Sequence, residues 1–312
     1  MANTKGSKGP GSRSLRIEEL DEYLSGPIEN PQAVLDSLVN AAAKGQLFPA
    51  LFDKLHAVAS EQDKLADLAF AYESLAQDRR VKLLPVESQA AVFLQATRFF
   101  SDVFGDPDGA VSYAERVLAA EPGQPEAVAR LEKIFGDSSD NARLAKLYFD
   151  LATHDRDPAV QLARLRQVVE VAADVAEMSA ITVDALSRLH KIDPGDAWVR
   201  DALEQRLVAG GKPRESIKLL EASLAREPAP GEVEAFQLRT RLLELYGKDI
   251  GEPHRAVPHI EALLAQTPAH AEARRLAEGL LDNRAVAARV AAALSDAYFK
   301  LGLADQAAAM LN

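Results

Sequence analysis

The chain has 312 residues, a formal net charge of −11 at pH 7, and 47% hydrophobic but only 6% aromatic residues. It contains no cysteine, which excludes disulfides, thiol catalysis and thiolate metal sites. Its acidity argues against a phosphate backbone as the main partner, so we expect no nucleic acid among its partners. Ala, Leu, Glu and Arg dominate the composition, and these strong helix formers favour an all-α protein.

The N-terminal residues 1–14 are rich in Gly, Ser and Lys, which predicts a flexible basic tail. No apolar run follows that could form the core of a signal peptide. The chain also lacks any apolar run of about 18 residues, so we expect no membrane span and a cytoplasmic location.

Residues 15–84 predict helical hairpins that cap one end of an array. A short polar helix is expected near residues 16–26. Asn30 and Pro31 then form a helix start and Gly45 a helix end. The apolar stripe of this second helix is Val34, Leu35, Leu38 and Ala42. Further helices are expected over 47–60 and 61–76, and their short connections predict antiparallel neighbours.

A basic link leads to a long helix predicted over residues 85–104, whose phenylalanines at helical spacing are expected in the core. These are Phe93, Phe99, Phe100 and Phe104. Downstream, residue pairs ending in proline mark helix starts at Asp106-Pro107, Asp157-Pro158, Asp193-Pro194, Lys212-Pro213 and Glu252-Pro253. Helix ends are predicted at Glu121-Pro122, Glu227-Pro228 and Thr267-Pro268, because the residue before proline disfavours the α conformation.

An internal repeat organises this part of the chain. Residues 105–145 align without a gap on residues 251–291, with 14 of 41 positions identical. A copy of this length indicates that similar helical units stack on one another. We therefore predict one repeat array over residues 85–312.

The last segment carries the most specific pattern: Leu294, Ser295, Tyr298, Gly302 and Ala307, with Leu301 and Leu311 in the apolar positions. This pattern resembles the tetratricopeptide repeat (TPR). The resemblance implies a right-handed α–α superhelix, or solenoid, of antiparallel helix pairs. Earlier units depart from it at Arg98, Glu204 and Ser216. The last repeat is incomplete, which predicts a longer natural protein, or a partner or second copy that covers its apolar edge.

The resemblance also implies that first helices of the units line a concave groove that binds a peptide or helix. On this basis the groove residues are Trp198, Asp201, Gln205, Arg289, Asp296 and Lys300. The Lys and Asn residues of the family's carboxylate-clamping members do not stand at these positions.

Catalytic and metal motifs are weak throughout. His254, His259 and His270 lack the spacing that places two ligands on one helical face. Gly211-Lys212 and Gly247-Lys248 lack the Ser or Thr and the earlier glycine of a phosphate-binding loop. We expect no metal, no cofactor and no catalysis by this chain.

The favoured hypothesis is a bacterial-type scaffold for protein–protein interactions that binds a segment of a partner protein. The alternative is a regulatory or substrate-recruiting arm of a larger enzyme whose catalytic domain lies outside this chain. RNA-processing helical repeats form a third hypothesis, which the acidity of the chain disfavours.

Overall fold

The computed structural model describes residues 16–310, so the predicted basic tail of residues 1–14 lies outside the described part. Within it the chain forms 18 α-helices and no strand. The chain divides into two compact units, Met1–Gln167 and Val168–Asn312. The all-α prediction is therefore confirmed, whereas the division at residue 84 stays a prediction.

The helices of the first unit are α1 Ile17–Tyr23, α2 Pro31–Ala42, α3 Pro49–Glu61, α4 Leu65–Gln77, α5 Arg79–Lys82, α6 Val86–Arg98, α7 Pro107–Ala120, α8 Pro125–Asp137 and α9 Asn141–His154. Helix α10, Pro158–Val171, contains the boundary between residues 167 and 168. Those of the second unit are α11 Ser179–Ile192, α12 Ala197–Ala209, α13 Pro213–Leu224, α14 Glu232–Glu244, α15 Val257–Gln266, α16 Ala271–Glu278, α17 Ala287–Lys300 and α18 Ala304–Ala309.

The early hairpins follow the predicted punctuation. The Asn30 side chain accepts a hydrogen bond from the Ala33 amide (3.3 Å), Pro31 occupies the first turn of α2, and Gly45 adopts a φ of 74° after its end. The predicted apolar stripe of α2 is fully buried. Helix α4 begins four residues later than expected, because residues 62–64 form a turn with Asp63 at a φ of 56°.

The predicted long helix of residues 85–104 changes character near its end. Helix α6 passes at Phe99 into a π-helical turn, Phe99–Phe104. Phe99 and Phe100 are buried, as expected for core residues, whereas Phe104 is 39% exposed. Gly105 ends the turn with a φ of 76°. Residues with a β-carbon rarely adopt this φ value.

Proline marks most helix starts as predicted, with one error. Pro107, Pro158 and Pro213 each open a helix, and Pro253 opens a 3-10 turn that leads into α15. Pro194 does not: α11 ends at Ile192 and α12 begins at Ala197. The reason is that Asp196 provides a better start, since its carboxylate accepts a hydrogen bond from the Val199 amide (3.2 Å).

The internal repeat is a repeat of structure as well as of sequence. We call residues 105–154 the first copy and residues 251–300 the second, because α9 and α17 coincide over 14 residues at the 146-residue offset. Each copy follows a π-helical turn and begins with a glycine of positive φ, Gly105 or Gly251. Equivalent backbone hydrogen bonds close both turns, Asp106 N to Phe100 O (2.9 Å) and Glu252 N to Tyr246 O (2.8 Å).

The last helix pair packs as its sequence pattern implies. Leu294 and Tyr298 on α17 and Ala307 on α18 are buried. The Ser295 hydroxyl donates a hydrogen bond to the Ala307 carbonyl (2.9 Å), and Gly302 adopts a φ of 76° between the helices. Small residues thus let the two helices approach closely. Leu311, the last position of the pattern, lies outside the described residues.

Candidate binding surfaces

Trp198, Asp201 and Gln205 lie along one exposed face of α12. Trp198 is 52% exposed, which is unusual for the largest apolar side chain. Asp201 accepts a hydrogen bond from the neighbouring Arg200 (2.9 Å). The three residues thus form a continuous surface, which we call the α12 face.

The α12 face has a rigid support beneath it. The Arg200 side chain is buried and pairs with Glu234 on α14 as well as with Asp201. Glu234 also accepts a hydrogen bond from Arg226 (2.7 Å). A buried arginine held by two carboxylates fixes the helix that carries Trp198, because leaving either charge without its partner is costly.

Arg289, Asp296 and Lys300 lie along one exposed face of α17. Arg289 donates two hydrogen bonds to Glu261 on α15 (2.9 and 2.6 Å), and Lys300 pairs with Asp296 (2.7 Å). Within residues 16–310 no hydrogen bond or ion pair joins these residues to those of the α12 face. The six predicted residues therefore form two separate surfaces.

At the 146-residue offset of the internal repeat, the exposed residues of α17 correspond to residues of α9, which form a third surface. Arg289, Asp296 and Lys300 correspond to Arg143, Asp150 and His154 on α9. Those three residues border a cleft of about 530 Å³ between α7, α8 and α9. Sequence analysis missed this cleft, although the repeat offset contained the signal.

The α7–α9 cleft has an apolar floor and a charged rim. Its floor is formed by Leu118, Leu131, Phe135, Leu147 and Leu151. Its rim carries Glu115 on α7 and Arg143, Lys146, Asp150 and His154 on α9. A concave apolar surface with a few charged groups at its edge is typical of a ligand-binding or peptide-binding site.

A second, more polar cleft of about 450 Å³ lies between α3 and the π-helical turn after α6. His56, Arg98 and Asp102 line it. Burial lowers the pKa of His56 to about 4, and the nearby positive charge of Arg98 acts in the same direction. Arg98 is itself committed to Glu126 by two hydrogen bonds (2.7 and 2.6 Å).

Three of the residues considered for metal or phosphate chemistry, His259, His270 and Lys212, have partners within the fold. His270 caps α16 by accepting a hydrogen bond from the Ala273 amide (3.2 Å), and His259 stacks against Tyr246. Lys212 pairs with Glu215 at 3.4 Å. Between residues 16 and 310, no group of three His, Cys, Asp or Glu side chains is arranged to hold a metal ion. The same part of the chain contains no helix with both the length and the apolar character needed to cross a bilayer.

These features define the class of the protein: an all-α helical-repeat protein built from antiparallel helix pairs. No protein-family model matches the sequence, and no curated protein matches it. Among solved structures, a human IFIT1 dimer with m7Gppp-AAAA is similar, at 12% identity and a TM-score of 0.35. That match covers 95% of this chain and 74% of the IFIT1 chain.

A second similar structure is a monomeric mutant of IFIT1 with Gppp-AAAA, at 12% identity and a TM-score of 0.32. That match covers 94% of this chain and 65% of the other. Both structures contain a capped oligonucleotide, which contradicts the expectation that nucleic acid is not a partner, and we correct it. The physical reason is that net charge describes the whole chain and does not exclude a local site for an oligonucleotide.

Proposed function

We propose that this chain is a non-catalytic, cytoplasmic helical-repeat scaffold of the tetratricopeptide type that binds a segment of a partner protein. The observation that carries the proposal is the exposure of Trp198 on a helix held in place from below. A half-exposed tryptophan on a rigid helix has the properties of a binding hot spot, because it buries a large area with little loss of conformational entropy.

The groups around Trp198 suit a protein segment. Asp201 and Gln205 supply a charge and an amide at the spacing of successive helical turns. On α17, Arg289, Asp296 and Lys300 offer a second surface of mixed charge. Polar groups around one aromatic anchor are typical of interfaces that recognise a peptide or helix of a partner.

The C-terminal helix pair supports self-association as a further property of the scaffold. Phe299 is 73% exposed, and Leu301 and Leu303 are exposed beside it. An apolar cluster of this kind is a common feature of interfaces between copies of a repeat protein. Analytical ultracentrifugation should show an oligomer that Phe299→Glu converts to a monomer. A monomeric wild-type protein would contradict self-association without affecting the scaffold proposal.

The scaffold proposal is tested by affinity capture from the cells that express the protein, using four versions of the immobilised chain. These are the wild type, Trp198→Ala, Arg289→Glu, and Phe70→Ala as a matched control. Phe70 is 69% exposed on α4, outside the proposed surfaces, so its removal tests for non-specific aromatic adhesion. We expect Trp198→Ala and Arg289→Glu to lose a bound protein that the wild type and Phe70→Ala retain.

The captured material is treated with nuclease and, separately, with protease before analysis. A partner that survives nuclease and is lost with protease supports the proposal. Equal retention by all four versions would refute the assignment of the surfaces. Capture of an oligonucleotide in place of a protein would refute the protein-binding function itself.

A further inference from the structure

We propose that the α7–α9 cleft is a second binding site and that its occupant is a basic amphipathic helix of a partner protein. This inference rests on the proposed scaffold function but concerns a different surface from the α12 face. It is derived from a comparison of the two copies of the internal repeat, which differ at the residues that decide whether the cleft exists.

Two leucines on α9 border the open cleft, and alanines stand at the equivalent positions of the closed copy. Leu147 and Leu151 in the first copy correspond to Ala293 and Ala297 in the second. In the second copy α17 packs directly against α15, whereas in the first copy the cleft separates α9 from α7. Alanine permits close approach of two helices and leucine does not, so the Leu-to-Ala difference gives a physical reason for one open and one closed copy.

Two carboxylates at the cleft lack the cations that their equivalents have. In the second copy, Glu261 binds Arg289 and Asp296 binds Lys300. In the first copy the corresponding carboxylates are Glu115 and Asp150, and neither forms an ion pair with any residue between 16 and 310. The open copy therefore presents two negative charges for which the closed copy supplies internal partners.

The cations of the first copy are committed elsewhere. Arg143 donates a hydrogen bond to Asp140 (2.7 Å), and its guanidinium carbon lies 5.4 Å from the centre of the Phe135 ring. His154, which replaces the lysine, bonds through Nδ1 to the Asp150 carbonyl oxygen (2.8 Å) and leaves the carboxylate unpaired. A cation from outside the chain can take the position that Arg289 holds against Glu261.

The dimensions of the cleft suit a short helix. Its rim follows α9 from Arg143 to His154, which is about 16 Å at a rise of about 1.5 Å per residue. About three turns of a bound helix match this length, with an apolar stripe against the leucine floor. Lys146 forms no ion pair among residues 16–310, so it can pair with one acidic residue in an otherwise basic helix.

The test is a selection from displayed 18-residue helical peptides against the full chain. Each peptide carries a fixed leucine stripe, and its flanking positions are drawn equally from Arg, Lys, Glu and Asp. We expect enrichment of peptides with Arg or Lys at the flanks. The strongest peptide is then synthesised with a fluorescent label, and its affinity is measured by anisotropy.

Four versions of the chain are compared with that peptide: wild type, Glu115→Gln with Asp150→Asn, Leu147→Ala with Leu151→Ala, and Trp198→Ala. We expect about tenfold weaker binding when the carboxylates are neutralised and a similar loss when the leucines are shortened. Trp198→Ala should bind as the wild type does. A peptide whose Arg and Lys are replaced by Gln should bind the wild type and the carboxylate variant equally, which identifies the ion pairs even where a variant is less stable.

The outcomes separate the two proposals. If peptide binding is lost in Trp198→Ala alone, the cleft is not the binding site and the scaffold function remains intact. Enrichment of peptides with acidic flanks, or no enrichment at all, would overturn the proposal that a basic helix occupies the cleft. The scaffold function would then be judged only by the affinity-capture experiment on the α12 face. Displacement of the peptide from the cleft by m7Gppp-AAAA at a lower concentration than the unlabelled peptide requires would assign the cleft to an oligonucleotide.

Discussion

The imidazole Nε2 of His56 lies 2.7 Å from the hydroxyl oxygen of Tyr72, and the pair is almost closed to solvent. The His56 ring also lies 5.3 Å from the ring of Phe99, at the start of the π-helical turn. Burial therefore places a titratable group at the junction of α3, α4 and the π-helical turn. Because this pair belongs to the core of the first unit, its protonation state is linked to folding.

The stability of the protein should fall as the pH is lowered from 6.5 towards 4. Unfolding returns the pKa of His56 from about 4 to its ordinary 6.5, so the unfolded chain binds a proton in this range that the folded chain does not. Excess proton binding by the unfolded state means that stability is present above pH 6.5 and is lost on acidification. The difference between the folded and unfolded pKa values corresponds to about 3 kcal/mol in the free energy of unfolding.

Urea unfolding at pH 7.5 and 4.5 measures this loss in the wild type, in His56→Gln and in His154→Asn. We expect His56→Gln to be less stable at pH 7.5 but to lose about 2 to 3 kcal/mol less than the wild type on acidification. His154 is exposed on α9, so its variant should follow the wild type. The same pH dependence in His56→Gln and wild type would show that His56 is not the group responsible.

Substitution of Gly105 or Gly251 by alanine should each destabilise the protein by about 1 kcal/mol. Both residues have positive φ values, 76° and 63°, after the two π-helical turns, while an added β-carbon would meet no atom within 4 Å. The cost is therefore one of backbone conformation and not of crowding. Thermal unfolding of the two variants measures it.

Gly136 provides the matched control, since it lies within α8 and an added β-carbon there also meets no atom within 4 Å. Gly136→Ala should stabilise the protein by about 0.5 to 1 kcal/mol, because alanine is the better helix former. Destabilisation by all three substitutions would contradict the explanation from φ values.

The sequence predicted local structure well where single residues determine it. Asn30, Gly45 and Gly302 act at helix ends through their own hydrogen bonds or backbone freedom, so they are recognisable without tertiary information. Pro194 was misread because proline is compatible with a turn as well as with a first helical turn. The correct start depended on the carboxylate of Asp196 two residues later.

The candidate surfaces were harder to predict. Helical spacing places Trp198 and Asp201 on one face, but whether that face is buried depends on helices distant in sequence. The α7–α9 cleft depends on Leu147 and Leu151, and leucines at this spacing are equally typical of a closed core. Only the comparison with Ala293 and Ala297 in a structure reveals that they border an open cleft.

Glu234→Gln should destabilise the protein by about 2 kcal/mol, because it removes a charge that holds the buried Arg200 and also binds Arg226. The comparison is Glu261→Gln, which removes the carboxylate that binds the half-exposed Arg289. We expect a clearly smaller loss there, since exposed ion pairs contribute little to stability. Chemical denaturation of both variants distinguishes the two cases, and equal losses would contradict the supporting role given to Arg200 beneath the α12 face.

The explanation for open and closed copies can be tested without any ligand. Ala297 is fully buried on α17, in a core cluster to which α15 also contributes, so Ala297→Leu should overfill this core and destabilise the protein by about 1 to 3 kcal/mol. Leu151 borders the cleft and is only partly buried, so Leu151→Ala should cost about 1 kcal/mol, less than the 2 to 5 kcal/mol expected of a fully buried leucine such as Leu294. Urea denaturation of Ala297→Leu, Leu151→Ala and Leu294→Ala measures the three losses. If Ala297→Leu proves neutral, α15 and α17 can separate as α7 and α9 do, and residue size at this position does not close the second copy.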